Sequence, residues 1–381
     1  MVGLNNLGST DYANVTVQAL CRVAPLRDWC LTGDGGTTLP PLTAAFAELV
    51  RKVWNARAFK GHASPHEFLV ACAAASGGRF GPAPPAAGPG AGGAATTSRR
   101  GRGDPVDFLA WLLNALHAEL AAPPRPPGVA PLPPALAARA AAGRPSIISR
   151  CFQGALTVTT EPGTGGVPLG APPRAVTVPF FMLGLTLPPA PLYPDALEAR
   201  SIPQVPLPDL LRRYDGCRVT DDPARGRQTF RLARLPPFLI LHVRRFARAG
   251  AGLLGGDAPL EKNPTVVTFP VRGLRLGEVI PLPQPTTPTA TFDLVANIVH
   301  DGPASAVGAA GVGGAFKAHV RRKADGAWYE VTDLSVSDVL PQVVALSEAY
   351  VQVYERASGG EGEGEGEGER AAKRAHLMEE G

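Results

Sequence analysis

Several polar residues in this sequence have the types and spacings that hydrolytic or binding sites use. Asn6 and Asp11 lie in the stretch Gly3–Asn14, directly before an apolar-periodic segment. An amide side chain can donate a hydrogen bond to an oxyanion, and a carboxylate can orient a base. Asp104 and Asp107 are three residues apart, which places both carboxylates on one face if that segment is helical. The roles of these residues depend on the elements that position them.

Asp11 is poorly suited to act as a nucleophile. A carboxylate attacks amides weakly, and a neighbouring histidine cannot activate it by removing a proton. An aspartate at the start of a helix is instead a preferred cap, worth about 0.5–2 kcal/mol over alanine. We therefore expect Asp11 to cap a helix and to have no catalytic role.

The composition indicates a folded body with long loops. The 381 residues are 45% hydrophobic, enough for a large core, and include 44 glycines and 41 prolines. The five cysteines form no Cys-x-x-Cys pair, which argues against a disulfide framework or a four-cysteine zinc site. There is neither a run of about 20 apolar residues nor a signal pattern after Met1, so we expect a soluble intracellular protein.

The charge of the chain is unevenly distributed. The formal net charge is +4, but residues 357–381 carry seven glutamates against Arg370, Lys373 and Arg374. The first 356 residues therefore carry +8. This mildly basic balance suits an RNA or an acidic protein partner without specifying either.

Apolar periodicity predicts helices in the first third of the chain, at Asp11–Ala24, Pro65–Ala75 and Asp104–Leu120. Gly-, Pro- and Ala-rich stretches predict disordered insertions at about 76–103 and 121–145. The Glu-Gly repeat predicts a disordered tail at 357–381.

From about residue 147 the pattern changes to short β-branched and aromatic runs bounded by turn residues, which predict strands. The expected strands are Gln153–Thr160, Thr229–Leu235, Phe238–Phe246, Val266–Phe269, Thr291–His300, Phe316–Arg322, Trp328–Val331 and Tyr350–Glu355. Helices followed by strands indicate an α+β fold and argue against an alternating parallel one.

Ordered motifs along the chain resemble those of ubiquitin-specific proteases. Gly3–Asn14 is similar to the cysteine box of that family, and Asp104–His117 to its Gln-Asp-x-x-Glu-Phe-Leu helix. The central strand of the family resembles Leu235–Phe246, and its Val-x-Phe-Pro motif resembles Val266–Pro270. Its histidine box and final strand resemble the segments Gly314–Val320, Trp328-Tyr329 and Ala349–Val351. The resemblance implies one domain over residues 1–356 with a papain-like cysteine-protease fold. Its helical thumb would span about 1–146, and its β-rich palm and fingers about 147–356.

The resemblance also implies where the catalytic triad of this family would lie. Asp11 occupies the position of the nucleophilic cysteine, Ala315 that of the histidine and Thr332 that of the orienting Asp or Asn. Asn6 matches the donor to the oxyanion. With all three triad positions substituted, the resemblance implies a catalytically silent pseudo-deubiquitinase and disfavours an active deubiquitinase.

Nearby residues are not expected to replace the missing triad members. His319 would face the same side of its strand as Ala315, but about 13 Å away at roughly 3.3 Å per residue. Asp333 follows Thr332 directly and would point to the opposite face of a strand. His300 precedes a turn and is expected to anchor it.

The cysteines are expected to be small, buried or partly buried thiols and not nucleophiles. They are Cys21, Cys30, Cys72, Cys151 and Cys217. Active relatives often hold zinc with paired Cys-x-x-Cys motifs, whereas the last two cysteines here stand alone. We therefore expect no metal and no cofactor.

Further segments resemble one inactive subgroup of the family, the splicing factors associated with the spliceosomal tri-snRNP. These segments are Ile202–Leu207, Glu261–Thr265, Ala296–Gly302 and Leu346–Tyr350. The resemblance implies a nuclear, non-enzymatic scaffold in pre-mRNA splicing. It would support assembly or stability of the tri-snRNP through contacts with its RNA helicase and its large scaffold protein.

A second hypothesis is a module that binds ubiquitin or a ubiquitin-like protein without cleaving it. In active relatives, acids at the positions of Asp104 and Asp107 hold the basic tail of ubiquitin, and Asn6 would lie near that cleft. The structural alternative is compensation of the helix dipole by acids in the first turn. The basic runs Arg99–Gly103 and Arg321–Lys323 are better explained as solvated loops than as an RNA site. We therefore expect weak or no direct RNA contact and no membrane partner.

Overall fold

The computed structural model describes residues 1–33, 39–55, 61–82, 103–121, 143–164, 167, 170–189, 203–222, 224–248, 260–282, 290–302, 307–308, 311–312 and 314–357. Most of the two predicted insertions, at 83–102 and 122–142, lies outside the described residues, as does 358–381 of the tail. Their predicted disorder stays a prediction.

Helices predominate in the first third of the described chain, where apolar residues recur at helical spacing. They are α1 (Asp11–Leu20), α2 (Ala24–Thr32), α3 (Pro41–Val53), α4 (His66–Ala75), α5 (Pro105–Ala121) and α6 (Ile147–Phe152). Two short helices, α7 (Leu207–Leu211) and α8 (Pro341–Ala345), lie among the strands. The first helix ends at Leu20 and not at the predicted Ala24, because a second helix begins at Ala24 and has a proline in its first turn.

The disorder predicted for the first insertion is wrong for the first residues of that segment. Residues 76–82 form turns that follow α4, and Phe80 is buried in them. The ring of Phe80 lies 5.2 Å from that of Phe108 and 5.1 Å from that of Trp111. Aromatic contacts of this kind add to burial, so the segment belongs to the helical core.

Strands make up most of the described chain after α6. Their bounds are β1 (Gly3–Leu4), β2 (His62–Ala63), β3 (Gly154–Thr160), β4 (Arg174–Phe180), β5 (Leu183–Thr186), β6 (Gln204–Pro206), β7 (Asp215–Asp222), β8 (Gly226–Arg234), β9 (Phe238–Arg244), β10 (Phe246–Arg248), β11 (Leu260–Lys262), β12 (Val266–Thr268), β13 (Leu274–Arg275), β14 (Thr291–Asp301), β15 (Val307–Gly308), β16 (Gly311–Val312), β17 (Ala315–Arg321), β18 (Trp328–Thr332), β19 (Ser335–Val339) and β20 (Ala349–Arg356). Every strand predicted from the sequence is present, with its ends shifted by a few residues at most.

The strands form two main sheets. The larger has eight strands in the order β19-β18-β17-β14-β20-β9-β5, with β13 paired to β14. The smaller has the order β4-β3-β8-β7. Helices collected at one end of the chain and largely antiparallel sheets at the other confirm the predicted α+β fold.

The central strands of the larger sheet are buried on both faces, because their side chains alternate between two hydrophobic cores. Ile240 and Val351 face the core that contains the helices α1 to α6. Leu239 and Tyr354 face a second core that also contains residues of α7 and β12. The start of α1 packs against β17, which brings the beginning of the chain to the candidate site. Within the described residues, no helix is long and apolar enough to cross a membrane.

Candidate functional site

Asp11 is buried at the first position of α1, where it is 1% exposed. Its Oδ2 accepts a hydrogen bond of 2.9 Å from the backbone amide of Phe316 on β17. The residue at the N-cap is Thr10, so Asp11 lies one position inside the helix and the predicted N-cap assignment is corrected. The carboxylate instead links the helix to the strand, at the residue that follows Ala315.

Ala315 begins β17 and is partly buried. The preceding Gly314 has a φ of +95°, and a Cβ there would lie 2.5 Å from the carbonyl oxygen of Asp301 and 2.9 Å from Nε2 of His300. Only glycine fits such a left-handed, close approach without strain. The chain therefore enters the position predicted for the catalytic histidine through a tight glycine turn and presents a methyl group, which cannot accept a proton.

His319 lies on β17 opposite Glu330 of β18. Its Nε2 is 3.1 Å from Oε2 of Glu330, and the side chain is buried. Burial lowers the pKa of His319, while the Glu330 carboxylate opposes that shift. The imidazole of His319 is thus hydrogen-bonded to Glu330 on the neighbouring strand β18.

His300 lies near the end of β14 and pairs with Phe316 of β17. Its ring makes edge-to-face contacts with Phe246, at 5.2 Å, and with Phe316, at 5.1 Å. Its backbone oxygen accepts a hydrogen bond from Nζ of Lys262. His300 is therefore packed among aromatic rings one residue before the end of β14. The turn predicted directly after it is corrected, since Asp301 still pairs with Ala315 in the sheet.

Asp333 corrects a sequence-based expectation. Thr332 pairs with Ser335, so Asp333 lies in the two-residue turn between β18 and β19, with a φ of +49°, and the alternation of strand faces does not apply to it. Its Oδ2 accepts a 2.9 Å hydrogen bond from Nδ2 of Asn6, and its Oδ1 a 2.8 Å bond from Nδ2 of Asn14. The structure thus places Asp333, and not Thr332, against the beginning of α1. An aspartate between two strand-like runs is a turn signal that could have found it.

Asn6 is held at both ends of its side-chain amide. Its Oδ1 accepts a 2.9 Å hydrogen bond from the backbone amide of Thr10, and its Nδ2 donates to Asp333. The side chain is exposed, and Nδ2 carries a second hydrogen that Asp333 does not need. Asp333 thus anchors the side-chain amide of Asn6, whose oxyanion role stays a prediction.

Asp104 caps the start of α5, with its Oδ1 accepting from the amides of Val106, at 2.7 Å, and Asp107, at 3.3 Å. Its Oδ2 accepts a 2.6 Å hydrogen bond from the hydroxyl of Tyr350 on β20. Burial raises the pKa of the Asp104 carboxyl, although these hydrogen bonds oppose the shift. Burial and the neighbouring carboxylate also raise the pKa of Tyr350.

Asp107 points away from this network. Its carboxylate is exposed and lies 2.9 Å from Nη2 of Arg79. The structure therefore does not bring Asp104 and Asp107 together as two free carboxylates of one groove. Asp104 joins α5 to β20, and Asp107 lies at the surface, where it pairs with Arg79.

Two buried cations near the site were missed by the sequence analysis. Nζ of Lys262 donates to the carbonyl oxygens of His300, at 3.1 Å, and Gly302, at 3.0 Å, and lies 2.5 Å from Oε2 of Glu348. The guanidinium of Arg245 is buried and donates to the carbonyl oxygens of Ala349 and Thr265, at 2.6 Å each. Burial lowers the pKa of Arg245 to about 10. These side chains fasten the ends of β14 and β20 behind the site.

Most of the cysteines are buried. Burial raises the pKa of Cys21 to about 11, that of Cys30 to about 12 and that of Cys151 to about 11, and it also raises the pKa of Cys72. A thiol with a raised pKa supplies little nucleophilic thiolate at neutral pH. Cys217 is exposed on β7. Among the described residues, no cluster of three or more His, Cys, Asp or Glu side chains is placed to hold a metal ion.

The candidate site therefore contains hydrogen-bonding groups that bind one another. Asp11 is bonded to the amide of Phe316, Asn6 to Asp333, and Asp104 to Tyr350. Each pair joins the first turn of α1, or the residues before α1 or α5, to the larger sheet or its turns. The arrangement can stabilise the contact between the helices and the sheet, and its exposed rim, at Asn6, can contact a partner.

The sequence matches the family described as "Ubiquitin carboxyl-terminal hydrolase" over residues 2–354. Among curated proteins, Ubiquitin carboxyl-terminal hydrolase 39 of Homo sapiens is 35% identical, over 95% of this chain and 60% of that protein. The Probable mRNA-splicing protein ubp10 of Schizosaccharomyces pombe is 30% identical, over 94% of this chain and 65% of that protein. The chain thus spans about three fifths of the length of these relatives.

Solved structures share the fold. The crystal structure of an essential yeast splicing factor gives a TM-score of 0.62 at 19% identity, covering 94% of this chain and 69% of that one. The SAGA Ubp8/Sgf11/Sus1/Sgf73 DUB module bound to ubiquitin aldehyde gives 0.60 at 15% identity, covering 94% of this chain and 70% of that one. At such identities the likeness concerns the fold alone. The match over residues 2–354 shows that the chain belongs to the ubiquitin carboxyl-terminal hydrolase family.

Proposed function

We propose that this protein is a non-catalytic splicing factor, a pseudo-deubiquitinase that acts as a scaffold in pre-mRNA splicing. Two relatives have splicing in their names, ubp10 of Schizosaccharomyces pombe and Pre-mRNA-splicing factor SAD1 of Saccharomyces cerevisiae. The second is 22% identical over 93% of this chain. Because these relatives share the family and nearly the whole length of this chain, the same role is the simplest extension to it.

The observation that carries the non-catalytic part is the hydrogen bond between Asp11 and the amide of Phe316. It lies where the family resemblance places the nucleophile. A carboxylate does not replace a thiolate in attack on an isopeptide, and Ala315 offers no base. Thr332 is in the third triad position, while Asp333 is bound to Asn6 and Asn14. We infer that these residues hold the fold together and do not hydrolyse a substrate.

The partners we propose are proteins of the spliceosomal tri-snRNP, its RNA helicase and its large scaffold protein among them, and the location is the nucleus. A scaffold needs extended surfaces and no chemistry. The excess positive charge of the first 356 residues suits a ribonucleoprotein surface. Supporting assembly or stability of the tri-snRNP would then be a binding function of the folded domain.

Affinity purification from nuclear extract tests the splicing role. The tagged full chain should enrich tri-snRNP proteins, detected by mass spectrometry, together with the small nuclear RNAs of that particle. The tag alone, in the same extract, is the control. If the extract contains intact tri-snRNP and none of these components is enriched, the splicing assignment is wrong.

A fluorogenic ubiquitin-tail substrate tests the absence of catalysis. No turnover above background is expected from the wild-type protein. Turnover that persists in Asp11→Ala but disappears when one cysteine, such as the exposed Cys217, is changed to serine would contradict the proposal.

Binding of ubiquitin without cleavage is the second candidate, and the exposed Asp107 carboxylate favours it. A titration of labelled ubiquitin against Asp107→Lys tests it. The matched control is Asp221→Lys, since Asp221 is an exposed carboxylate on β7 that also pairs with an arginine. Tight binding that only Asp107→Lys weakens would establish this activity, and equal effects of the two changes would exclude this surface.

A further inference from the structure

A second feature of the molecule lies away from the Asp11 region. It is a cavity of about 490 Å³ between the end of α5, the short α6 and the connection from β8 to β9. Its polar lining includes His117, Arg144, Ser149, Arg150 and Arg234. Pockets of a few hundred Å³ with a few convergent polar groups are typical of ligand sites.

Within the described residues, the positive charge that lines this cavity has no carboxylate partner. No carboxylate is among the described residues that line it, and no ion pair is formed by Arg144, Arg150 or Arg234 within the described part of the chain. Other exposed arginines do pair, as Arg212 does with Asp209. Three arginines among the residues that line one cavity raise the local concentration of anions.

Hydrogen bonds hold the start of α6, the helix that contributes Ser149 to the lining of the cavity. The backbone amide of Ser149 donates to Oγ of Ser146, and the amide of Ser146 donates to Oγ of Ser149, which fixes the start of α6. Nδ1 of His117 on α5 is 2.8 Å from Oγ of Ser146. Burial lowers the pKa of His117, so at neutral pH its ring supplies hydrogen bonding and the arginines supply the charge. The backbone that carries Arg144 and Arg150 is thus fixed to α5 on one side of the cavity.

We propose that this cavity binds a phosphorylated serine or threonine side chain of a partner protein. A guanidinium presents a planar fork of N–H donors that matches phosphate oxygens. Arg144 lies three residues before α6, Arg150 lies within it and Arg234 is the last residue of β8, so the lining arginines come from two separate parts of the chain. Recognition of phosphorylated motifs by arginine clusters is an established mode of protein binding.

RNA is the less suitable ligand for this cavity. Single-stranded RNA is held by grooves that follow the backbone and by aromatic side chains on which bases stack. The described lining contains His117 but no Phe, Tyr or Trp on which a base could stack. Its apolar part, at Leu235 and Pro237, can instead contact the residues next to a phosphorylated side chain.

Fluorescence polarisation on the full chain tests the proposal. The probes are two fluorescein-labelled peptide pools with a central phosphoserine or phosphothreonine between degenerate residues, and the same pools without phosphate. The phosphorylated pools should bind at least about tenfold more tightly, since charge-assisted hydrogen bonds to phosphate contribute at this level. Millimolar inorganic phosphate should displace them. Equal binding of the phosphorylated and unphosphorylated pools would overturn the proposal.

Two charge-matched variants separate the cavity from general electrostatics. Arg150→Gln/Arg234→Gln should weaken binding of the phosphorylated pools at least about tenfold. Arg174→Gln/Arg225→Gln removes the same charge at exposed positions outside the cavity and should have little effect. All four side chains are exposed, so both variants should keep the wild-type circular dichroism spectrum and thermal midpoint. Equal losses in the two variants would contradict a specific site.

Tighter binding of a single-stranded oligouridine that depends on Arg150 and Arg234 would assign the cavity to RNA and overturn the proposal.

Discussion

Asp11 joins the first turn of α1 to the backbone of β17 through one carboxylate oxygen. A buried carboxylate is tolerated when hydrogen bonds satisfy it. Here the Phe316 amide provides such a bond, and the start of a helix favours negative charge. The side chain therefore has a structural reason for its type at this position, independent of any reaction.

Replacing Asp11 should lower the stability of the folded protein. Asp11→Ala removes the acceptor of the Phe316 amide and should reduce the free energy of unfolding by about 1–3 kcal/mol. Asp11→Asn keeps a side-chain oxygen and should cost less. Urea unfolding followed by circular dichroism measures both. The control is Asp28→Ala at an exposed carboxylate of α2, expected to change stability by about 0.5 kcal/mol or less. A loss in Asp11→Ala no larger than in the control would show that the bond does not stabilise the protein.

The residues of the site could be located from the sequence better than their contacts could. The motif around Gly3–Asn14 predicted that Asn6 and Asp11 lie near the start of a helix, and the structure has them there. Asp333 was excluded on the assumption that it lies within a strand. It lies in a turn, where a positive φ redirects the side chain, and which residue adopts that conformation depends on the register of β18 with β19.

At the level of elements, the buried central strands were the easiest to predict, whereas the more exposed strands β4 and β7 were not predicted. β9, β14 and β20 are β-branched and apolar because both of their faces are buried, and they stand out in the sequence. The helices α2 and α3 were not predicted, since each begins near prolines that suggest a break in the chain, although proline is well tolerated in a first helical turn. The buried Arg245 and Lys262 could not be foreseen. Their partners are backbone oxygens brought close by the tertiary fold.

Histidines on the sheet and on α5 make stability depend on pH. Burial lowers the pKa of His242 on β9 from 6.5 to about 4, with a smaller contribution from Arg244. Burial also lowers the pKa of His319 and His117. Between the folded and unfolded values the unfolded chain binds more protons, so stability should fall as pH drops from about 6.5 towards 4.

This dependence can be measured by urea unfolding at pH 7.5, 6.5 and 5.5. Each histidine that stays neutral in the folded state should lower the free energy of unfolding by about 1 kcal/mol at pH 5.5 relative to pH 7.5. His242→Phe should flatten the dependence by about that amount, whereas His66→Phe, at an exposed position on α4, should leave the slope unchanged. If His242→Phe keeps the wild-type slope, protonation of His242 is not linked to folding.

Across the whole molecule, the larger sheet is the structure on which both cores are built. Its central strands β9, β14 and β20 place alternate side chains into each core. The smaller sheet differs, since the side chains of its edge strand β4 are almost all exposed. Opening the central strands requires disruption of both cores, whereas the edge of the smaller sheet can open locally.

Native-state hydrogen exchange should therefore separate the two sheets. Amides of β9, β14 and β20 should exchange only through global unfolding, with protection that follows the stability measured by urea. Amides of β4 and β7 should exchange by local opening that depends little on urea. Mass spectrometry of peptic fragments at increasing urea measures both. Uniform protection of all these strands would mean that the two sheets unfold as one unit.

The hydrogen bond between Asp11 and Phe316 also bears on how this sequence can evolve. A cysteine at residue 11 would exchange a strong acceptor for a weak one. The loss of stability would come first, because Ala315 supplies no base to remove the proton of a new thiol and Thr332 no carboxylate to orient such a base. A cysteine at residue 11 alone would therefore lower stability with no chemical advantage. Selection for a folded domain is then enough to retain aspartate at this position.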